Sequence, residues 1–252
     1  MNVMNKSKFY ELKAKKIRKD VLELALKYKD GHIAPAFSVI EILVALHNEI
    51  LKKDDKIILS KGHGCLSLYA SLMDKGLNPK IRGHPDVDVK QGIFCTTGSL
   101  GHGLPIGVGM AFARKFKKED GHIFVIIGDG ECQEGTIWES LNLAQKYKLD
   151  NLTVIVDYNK LQALTTIKEV MNETNLKDKF KAFGCQVIEI DGHNFNELLD
   201  NLNTTKIKKD ISRVIIADTI KGKGLSFMEN KPEWHSRIPE GKLLEQAYEE
   251  LK

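Results

Sequence analysis

The stretch Ile123-Phe124-Val125-Ile126-Ile127 is an unbroken apolar run, and it stops abruptly at Gly128-Asp129-Gly130. A strand with one wet face alternates apolar and polar residues, so a run without alternation requires cover on both faces. The central strand of a parallel sheet has that cover. A second run, Leu152-Thr153-Val154-Ile155-Val156, follows an amphipathic helical stretch at Glu134–Lys148 and ends in Asp157-Tyr158-Asn159. The pattern continues with a helix over Leu176–Phe183, a strand over Gln186–Ile190, a helix over Asn196–Leu202 and a strand over Arg213–Thr219. Strands alternating with helices predict an α/β fold: three layers, a mostly parallel sheet with helices on both faces.

Upstream, apolar residues at helical spacing predict helices over residues 7–29 and Phe37–Leu51, parted by Asp30-Gly31-His32-Ile33-Ala34-Pro35, where glycine and proline interrupt. A strand at Lys56–Ser60 and helices at Cys65–Met73, Gly98–Lys117 and Gly241–Leu251 complete the set, with residues 221–241 as an ordered or closing loop. At 252 residues and 42% hydrophobic content, the whole chain, 1–252, fits one domain with a sizeable core. There is no internal repeat and no low-complexity linker.

Several classes of function are disfavoured at once. Thirty-eight basic against 34 acidic residues leave +4, spread along the chain, so no nucleic-acid footprint stands out. No stretch approaches the roughly 20 apolar residues that cross a bilayer, and the first residues lack the apolar core of a signal peptide; the expectation is a cytoplasmic protein. Cys65, Cys95, Cys132 and Cys185 form no CxxC pair, which predicts reduced, buried thiols. Gly101-His102-Gly103 is followed by Leu104-Pro105-Ile106, without the third glycine of a dinucleotide fingerprint, and no P-loop is present.

Ligands of parallel α/β sheets bind beyond the carboxyl ends of the strands. Asp129 and Asn159 stand at two such ends, 30 residues apart, the length of one βαβ unit. A carboxylate and an amide oxygen with little else suit a hard cation such as Mg²⁺, which takes further ligands from water and phosphate. Gly130 leaves room for a phosphate against the backbone and the helix that follows. Six of the eight histidines directly follow glycine: His32, His63, His84, His102, His122 and His193. Gly-His pairs at element ends suit a polar ligand site.

With these residues in view, the chain resembles the thiamine diphosphate enzymes, and within them the transketolases. The resemblance is carried by Gly128-Asp129-Gly130 with Asn159, and by Leu59-Ser60-Lys61-Gly62-His63-Gly64, Gly83-His84-Pro85, Thr96-Thr97-Gly98-Ser99-Leu100-Gly101, Gly130-Glu131-Cys132-Gln133-Glu134-Gly135, Asp157-Tyr158-Asn159-Lys160-Leu161 and Lys221-Gly222-Lys223-Gly224, in the family's order from about residue 10 to about residue 240. It matches in particular the N-terminal subunit of split transketolases. It implies the thiamine diphosphate-binding (PP) fold and transfer of a two-carbon ketol unit from a ketose, or ketose phosphate, to an aldose. The implied cofactors are thiamine diphosphate and Mg²⁺, or Ca²⁺ or Mn²⁺. The metal ligands it implies are Asp129, Asn159 and the Leu161 carbonyl. His63, Gly98, Leu100, Gly128, Gly130, Glu131 and His235 would join them around the cofactor, and His32, His63, His84, His235 and Glu134 would serve catalysis.

It also implies a partner. The pyrimidine-activating glutamate of the family lies in a domain that would follow residue 252, so a C-terminal subunit carrying the pyrimidine domain is expected, in a dimer of heterodimers inactive without it. Departures from the family occur where sugars are contacted. Ile33-Ala34-Pro35-Ala36 replaces a more glycine-rich turn, and His102 stands where glutamine is usual, which puts the usual pentose phosphates in question. Two other readings are a component of a deoxyxylulose phosphate synthase-like enzyme and a non-catalytic interaction protein that retains the fold. His47, His122 and His193 read as structural, Asp191 as a cap, and Trp138 as packing. Lys221, Lys223 and Trp234 divide between closing the site and ordinary surface or core.

Overall fold

The computed structural model describes residues 3–171 and 175–252. Five parallel strands form one sheet: β1 (Lys56–Leu59), β2 (Ile123–Gly128), β3 (Leu152–Tyr158), β4 (Gln186–Asp191) and β5 (Arg213–Asp218), in the order β1-β2-β3-β5-β4. Every residue of β2 is buried. Its side chains divide by parity, Phe124 and Ile126 into one core cluster, Ile123, Val125 and Ile127 into the other. Val154 and Val156 against Ile155, and Val214 and Ile216 against Ile215 and Ala217, divide the same way. The apolar run without alternation is thus a strand covered on both faces, as its sequence requires.

The first face carries α1 (Val3–Tyr28), α2 (Ile33–Phe37), α3 (Ile40–Ala45) and α4 (Cys65–Asp74). The second carries α5 (Gly103–Lys117) and α6 (Gly135–Lys146). A short α7 (Ile167–Met171) precedes α8 (Leu176–Ala182), whose Leu176 and Phe180 join the second face. Buried residues of α9 (Phe195–Leu202) and α10 (Lys242–Glu250) join the first.

Two helix boundaries differ from the sequence pattern for reasons that bear on the site. Ile33-Ala34-Pro35, expected to interrupt, instead open α2, and the helix expected over Phe37–Leu51 is the last residue of α2, then α3 and a π-turn over Leu46–Ile50. The break falls where the Pro35 carbonyl accepts from Lys61 Nζ at 2.9 Å and from the Ser38 hydroxyl at 3.1 Å. Side chains have claimed an acceptor that a continuous helix would use for its own ladder. The helix expected from Gly98 begins only at Gly103, because Gly98 (φ +140) and Gly101 (φ +80) hold the segment before it in left-handed geometry. No cysteine is bridged and all four are buried, and no described helix is long and apolar enough to cross a membrane.

Candidate active site

Register places the first pair of site residues. Gly128 of β2 lies opposite Asp157 of β3, so Asp129 and Asn159 emerge side by side at the carboxyl edge. Asp129 is 3% exposed. Its carboxylate accepts the Gly130 N–H at 2.8 Å and the Lys160 N–H at 2.5 Å, tying the β2 turn to the β3 turn. Burial, and after it the neighbouring Asp157, pushes the Asp129 carboxyl up to about 7.

Asp157 stands behind this edge, fully buried, paired with Lys61 from the end of β1. It also accepts from the hydroxyls of Ser38, at 2.7 Å, and Thr219, and from Asn159 Nδ2 at 3.1 Å. Burial works to raise its carboxyl, but Lys61 outweighs it and holds the group below the usual carboxylate range. The Asn159 Nδ2 bond to a carboxylate fixes the amide's orientation, since only the NH₂ end can donate there. The Asn159 oxygen accepts the Leu161 N–H at 3.1 Å.

A cavity of about 240 Å³ opens at this edge, lined among others by His63, Leu100, Asp129, Gly130, Glu134 and Lys221. Gly128, Glu131, Leu161, Gln162 and His235 also line it, whereas Asn159 lies on the wall of an adjoining cavity that shares Leu161. Glu131 is occupied within the protein: one oxygen takes the Ser60 hydroxyl at 2.6 Å and the Gly101 N–H at 2.8 Å, the other the Gly128 N–H at 2.8 Å. It clamps the loop before α5 to the turn after β2. Glu134, exposed, precedes α6, with its Cβ against Gly101.

Four histidines converge above the cavity. Ring centroids lie 5.6 Å apart for His32 and His235, 5.4 Å for His63 and His235, 6.2 Å for His32 and His63, and 6.3 Å for His32 and His84. Glycines permit this convergence at two places. A Cβ on Gly62 would stand 2.8 Å from the Gly98 nitrogen, and one on Gly98 would meet the His84 ring at 2.9 Å. The His63 turn, the Gly98 loop and His84 therefore pack directly on one another.

Their partners assign the histidines different tautomers. His32 Nδ1 lies 2.8 Å from Asp30 Oδ1 and must donate to it, which leaves Nε2 as an acceptor. His235 Nδ1 lies 2.9 Å from Lys221 Nζ and must accept from it, which leaves Nε2–H as a donor. Burial, and then Lys221, pushes His235 down to about 4, while burial, and then Lys61, pushes His63 down to about 2. Both rings are neutral at physiological pH.

The remaining residues separate clearly. Lys221 is 2% exposed and donates to the Gln162 carbonyl at 2.7 Å as well as to His235, so it belongs to the cavity. Lys223 is partly exposed and pairs loosely with Glu229 at 3.8 Å. Trp234 packs edge-on against Phe227 at 5.0 Å, and Trp138 against Phe180 and Phe183. His122 bonds Thr153, His47 is half-buried, and His193 bonds Glu41. Asp191 caps no helix, since Asn194 precedes α9; it accepts the His193 N–H in a local turn. His102 precedes α5, exposed, with Nδ1 on the Leu100 carbonyl. Asp30, Gln162 and the Lys61–Asp157 pair also belong to the site, although the sequence reading assigns none of them a role; Lys61 and Asp157 stand inside the family segments and Asp30 in the His32 turn.

These residues fit a cation together with a diphosphate. Among the described residues no group of three or more His, Cys, Asp and Glu side chains would hold a metal unaided. A single buried carboxylate, an amide oxygen and a backbone carbonyl instead suit a hard cation completed by phosphate oxygens and water. Gln162 Nε2, buried with no hydrogen-bond partner, packs against Gly130 and supplies a donor for an anion.

Fold and cavity thus define a parallel α/β domain with a polar ligand site at the carboxyl ends of its central strands. Residues 10–241 match the family model described as "Transketolase, thiamine diphosphate binding domain". The chain belongs to the transketolase family. It is 36% identical to one of the subunits of an apulose-4-phosphate transketolase from Phocaeicola vulgatus, covering 96% of this chain and 93% of that one. It is 39% identical to a 6-deoxy-6-sulfo-D-fructose transketolase subunit from a Clostridium species, covering 87% and 88%. The crystal structure of transketolase from Campylobacter jejuni superposes with a TM-score of 0.86 at 28% identity, covering 100% of this chain but 43% of that one.

Proposed function

We propose that this chain is the thiamine diphosphate-binding subunit of a two-component transketolase, a single domain over residues 1–252 that works with a second subunit carrying the pyrimidine-binding domain. The observation that carries the reading is the convergence of His32, His63, His84 and His235 over a cavity floored by Asp129, Gly130 and Leu161. Two further facts support a divided site. The chain spans nearly the whole length of a relative that is itself named as one subunit of a transketolase, and about two fifths of a transketolase such as that of C. jejuni. The cavity, at about 240 Å³, is also below the roughly 300 Å³ where ligand pockets begin, room for one end of a cofactor.

Asp129, the Asn159 amide oxygen and the Leu161 carbonyl would hold a divalent cation. Lys221, Gln162 Nε2 and the Gly130 backbone would hold the diphosphate, and Gly98 and Leu100 would flank the pyrimidine. Thiamine diphosphate supplies, when bound, the electron sink needed to cleave a bond beside a ketose carbonyl. His32 Nε2, backed by Asp30, is suited to accept a proton from a sugar hydroxyl; His235 Nε2–H is suited to donate a hydrogen bond. His63, held neutral, adds polarity without repelling a cation. Glu134, exposed at the cavity edge, is placed to meet a partner subunit, and two copies of each subunit would complete two such sites.

The relatives' names concern a ketose phosphate and a sulfonated ketose, so the donor proposed here is a ketose with an anionic end rather than a neutral sugar. The test is ketol transfer with thiamine diphosphate and Mg²⁺ across a panel of phosphorylated, sulfonated and neutral ketoses. Turnover should require the second subunit and fall away on neutral donors. Robust turnover by this chain alone would overturn the reading.

A further inference from the structure

Lys221 reaches the cavity from the turn that follows β5, and that turn is gripped from behind by charged side chains outside the site. Arg18 of α1 and Glu41 of α3, each about 8% exposed at the side chain, pair at 2.6 Å. Arg18 also donates through Nε to the Lys223 carbonyl at 2.6 Å, a bond spanning 205 residues of sequence. The other Glu41 oxygen takes His193 Nδ1 at 3.1 Å, and His193 Nε2 accepts the Ile220 N–H at 2.8 Å. The backbone is therefore held on both sides of Lys221, at Ile220 by an acceptor and at Lys223 by a donor. Gly224, at φ +101, lets the chain pass so close that a Cβ there would meet Arg18 Cδ at 2.8 Å. Burial works to raise the Glu41 carboxyl, but Arg18 and then His193 outweigh it and keep the group ionised.

We propose that Arg18, Glu41 and His193 are positioning residues, a buried chain that holds the Thr219–Gly224 turn in the one register that aims Lys221 at the bound diphosphate. The chain is ordered by donor and acceptor requirements. Arg18 can only donate, so Glu41 must accept from it. The second Glu41 oxygen then needs a donor, which puts the His193 proton on Nδ1 and leaves Nε2 bare for the Ile220 N–H. Glu41→Gln keeps the volume and breaks the logic. Its one acceptor goes to Arg18, its NH₂ faces His193 Nδ1, the imidazole proton moves to Nε2, and Nε2–H then opposes the Ile220 N–H. His193→Asn removes the acceptor for Ile220 together with the Nδ1–H donated to Glu41, and spares the Arg18–Glu41 pair.

This rests on the cofactor reading above, so the test has one arm without cofactor. Hydrogen exchange on the full chain should show the Ile220 amide protected in the natural protein and exchanging faster in Glu41→Gln and in His193→Asn, with β2 and β3 amides unchanged. Thiamine diphosphate binding with Mg²⁺, measured on this chain with its partner subunit, should weaken about tenfold in either variant, the loss of one hydrogen-bonded anchor. In a Lys221→Met background the same substitutions should cost less than about twofold more, because the residue they position is gone. A merely structural role would weaken binding by the same factor in both backgrounds. That additivity, or unchanged Ile220 exchange in both variants, overturns the proposal. Failure of the natural protein to bind thiamine diphosphate at all would instead remove the cofactor reading.

Discussion

The anchoring end of the site hangs from three adjacent strand ends, whereas its histidine rim is assembled from loops far apart in the chain. Asp129 and Asn159 follow β2 and β3 directly, Lys61 lies just past Ser60 at the end of β1, and the register of the sheet fixes where each emerges. His32 precedes α2, His63 occupies the turn before α4, His84 follows that helix, and His235 lies in the long loop before α10. The floor is locked by buried ionic groups, while His32 and His63 are partly exposed and His84 is exposed. A site divided in this way keeps its anchoring end rigid and leaves its reacting end on segments that can adjust to a sugar.

Removing the lock should separate the two regions most sharply. Lys61→Met leaves Asp157 as an uncompensated buried charge, which should lower the unfolding free energy by about 3–5 kcal/mol in urea denaturation. Adding Asp157→Asn should recover more than half of that loss, since the amide still bonds Ser38 and Thr219. Recovery that fails would mean the pair holds more than itself in place. Next in size is Asp129→Ala, which keeps the fold but should weaken Mg²⁺-dependent thiamine diphosphate binding by about two orders of magnitude in calorimetry with the partner subunit present.

Much of this contrast was visible in the sequence, and the parts that were hidden share a physical cause. β2 and β3 were legible because burial on both faces makes apolar residues run without alternation, Thr153 alone interrupting the β3 run before Asp157, and the spacing of Asp129 and Asn159 followed from the βαβ unit. The rim histidines were legible through glycine neighbours and family resemblance rather than through periodicity. Lys61, Asp157, Arg18 and Glu41 were not, because a charged residue in sequence reads as solvated surface until its partner is known. Those partners lie 96 residues apart for Lys61 and Asp157, and 152 for Glu41 and His193. The same cause hid the break between α2 and α3, where a distant lysine takes a carbonyl from the helix.

On the rim, Asp30→Asn tests whether His32 depends on a charged neighbour. Asparagine still offers an oxygen to His32 Nδ1–H but not a charge, so kcat for ketol transfer should fall about tenfold, the worth of a charge-assisted bond over a neutral one. Thiamine diphosphate affinity should stay within about twofold, because the floor is untouched. An equal fall in both would show that Asp30 supports the whole site.

Lys221 touches both regions, bonding the Gln162 carbonyl beside the floor and His235 on the rim, and pH exposes that double role with opposite signs. Burial, and then Lys61, lowers its ammonium from an ordinary 10.5 to about 8. Between pH 8 and 10.5 the folded chain therefore binds less proton at this site than the unfolded chain does, so the contribution of Lys221 to stability improves as pH rises through that window. Diphosphate affinity should move the other way, falling as pH passes about 8 and the ammonium is lost. The smallest effect expected here is thus a change of a few-fold in thiamine diphosphate affinity between about pH 7 and about pH 9, present in the natural protein and flattened in Lys221→Met. A slope that survives the substitution would assign the titration to another group and sever the link between floor and rim.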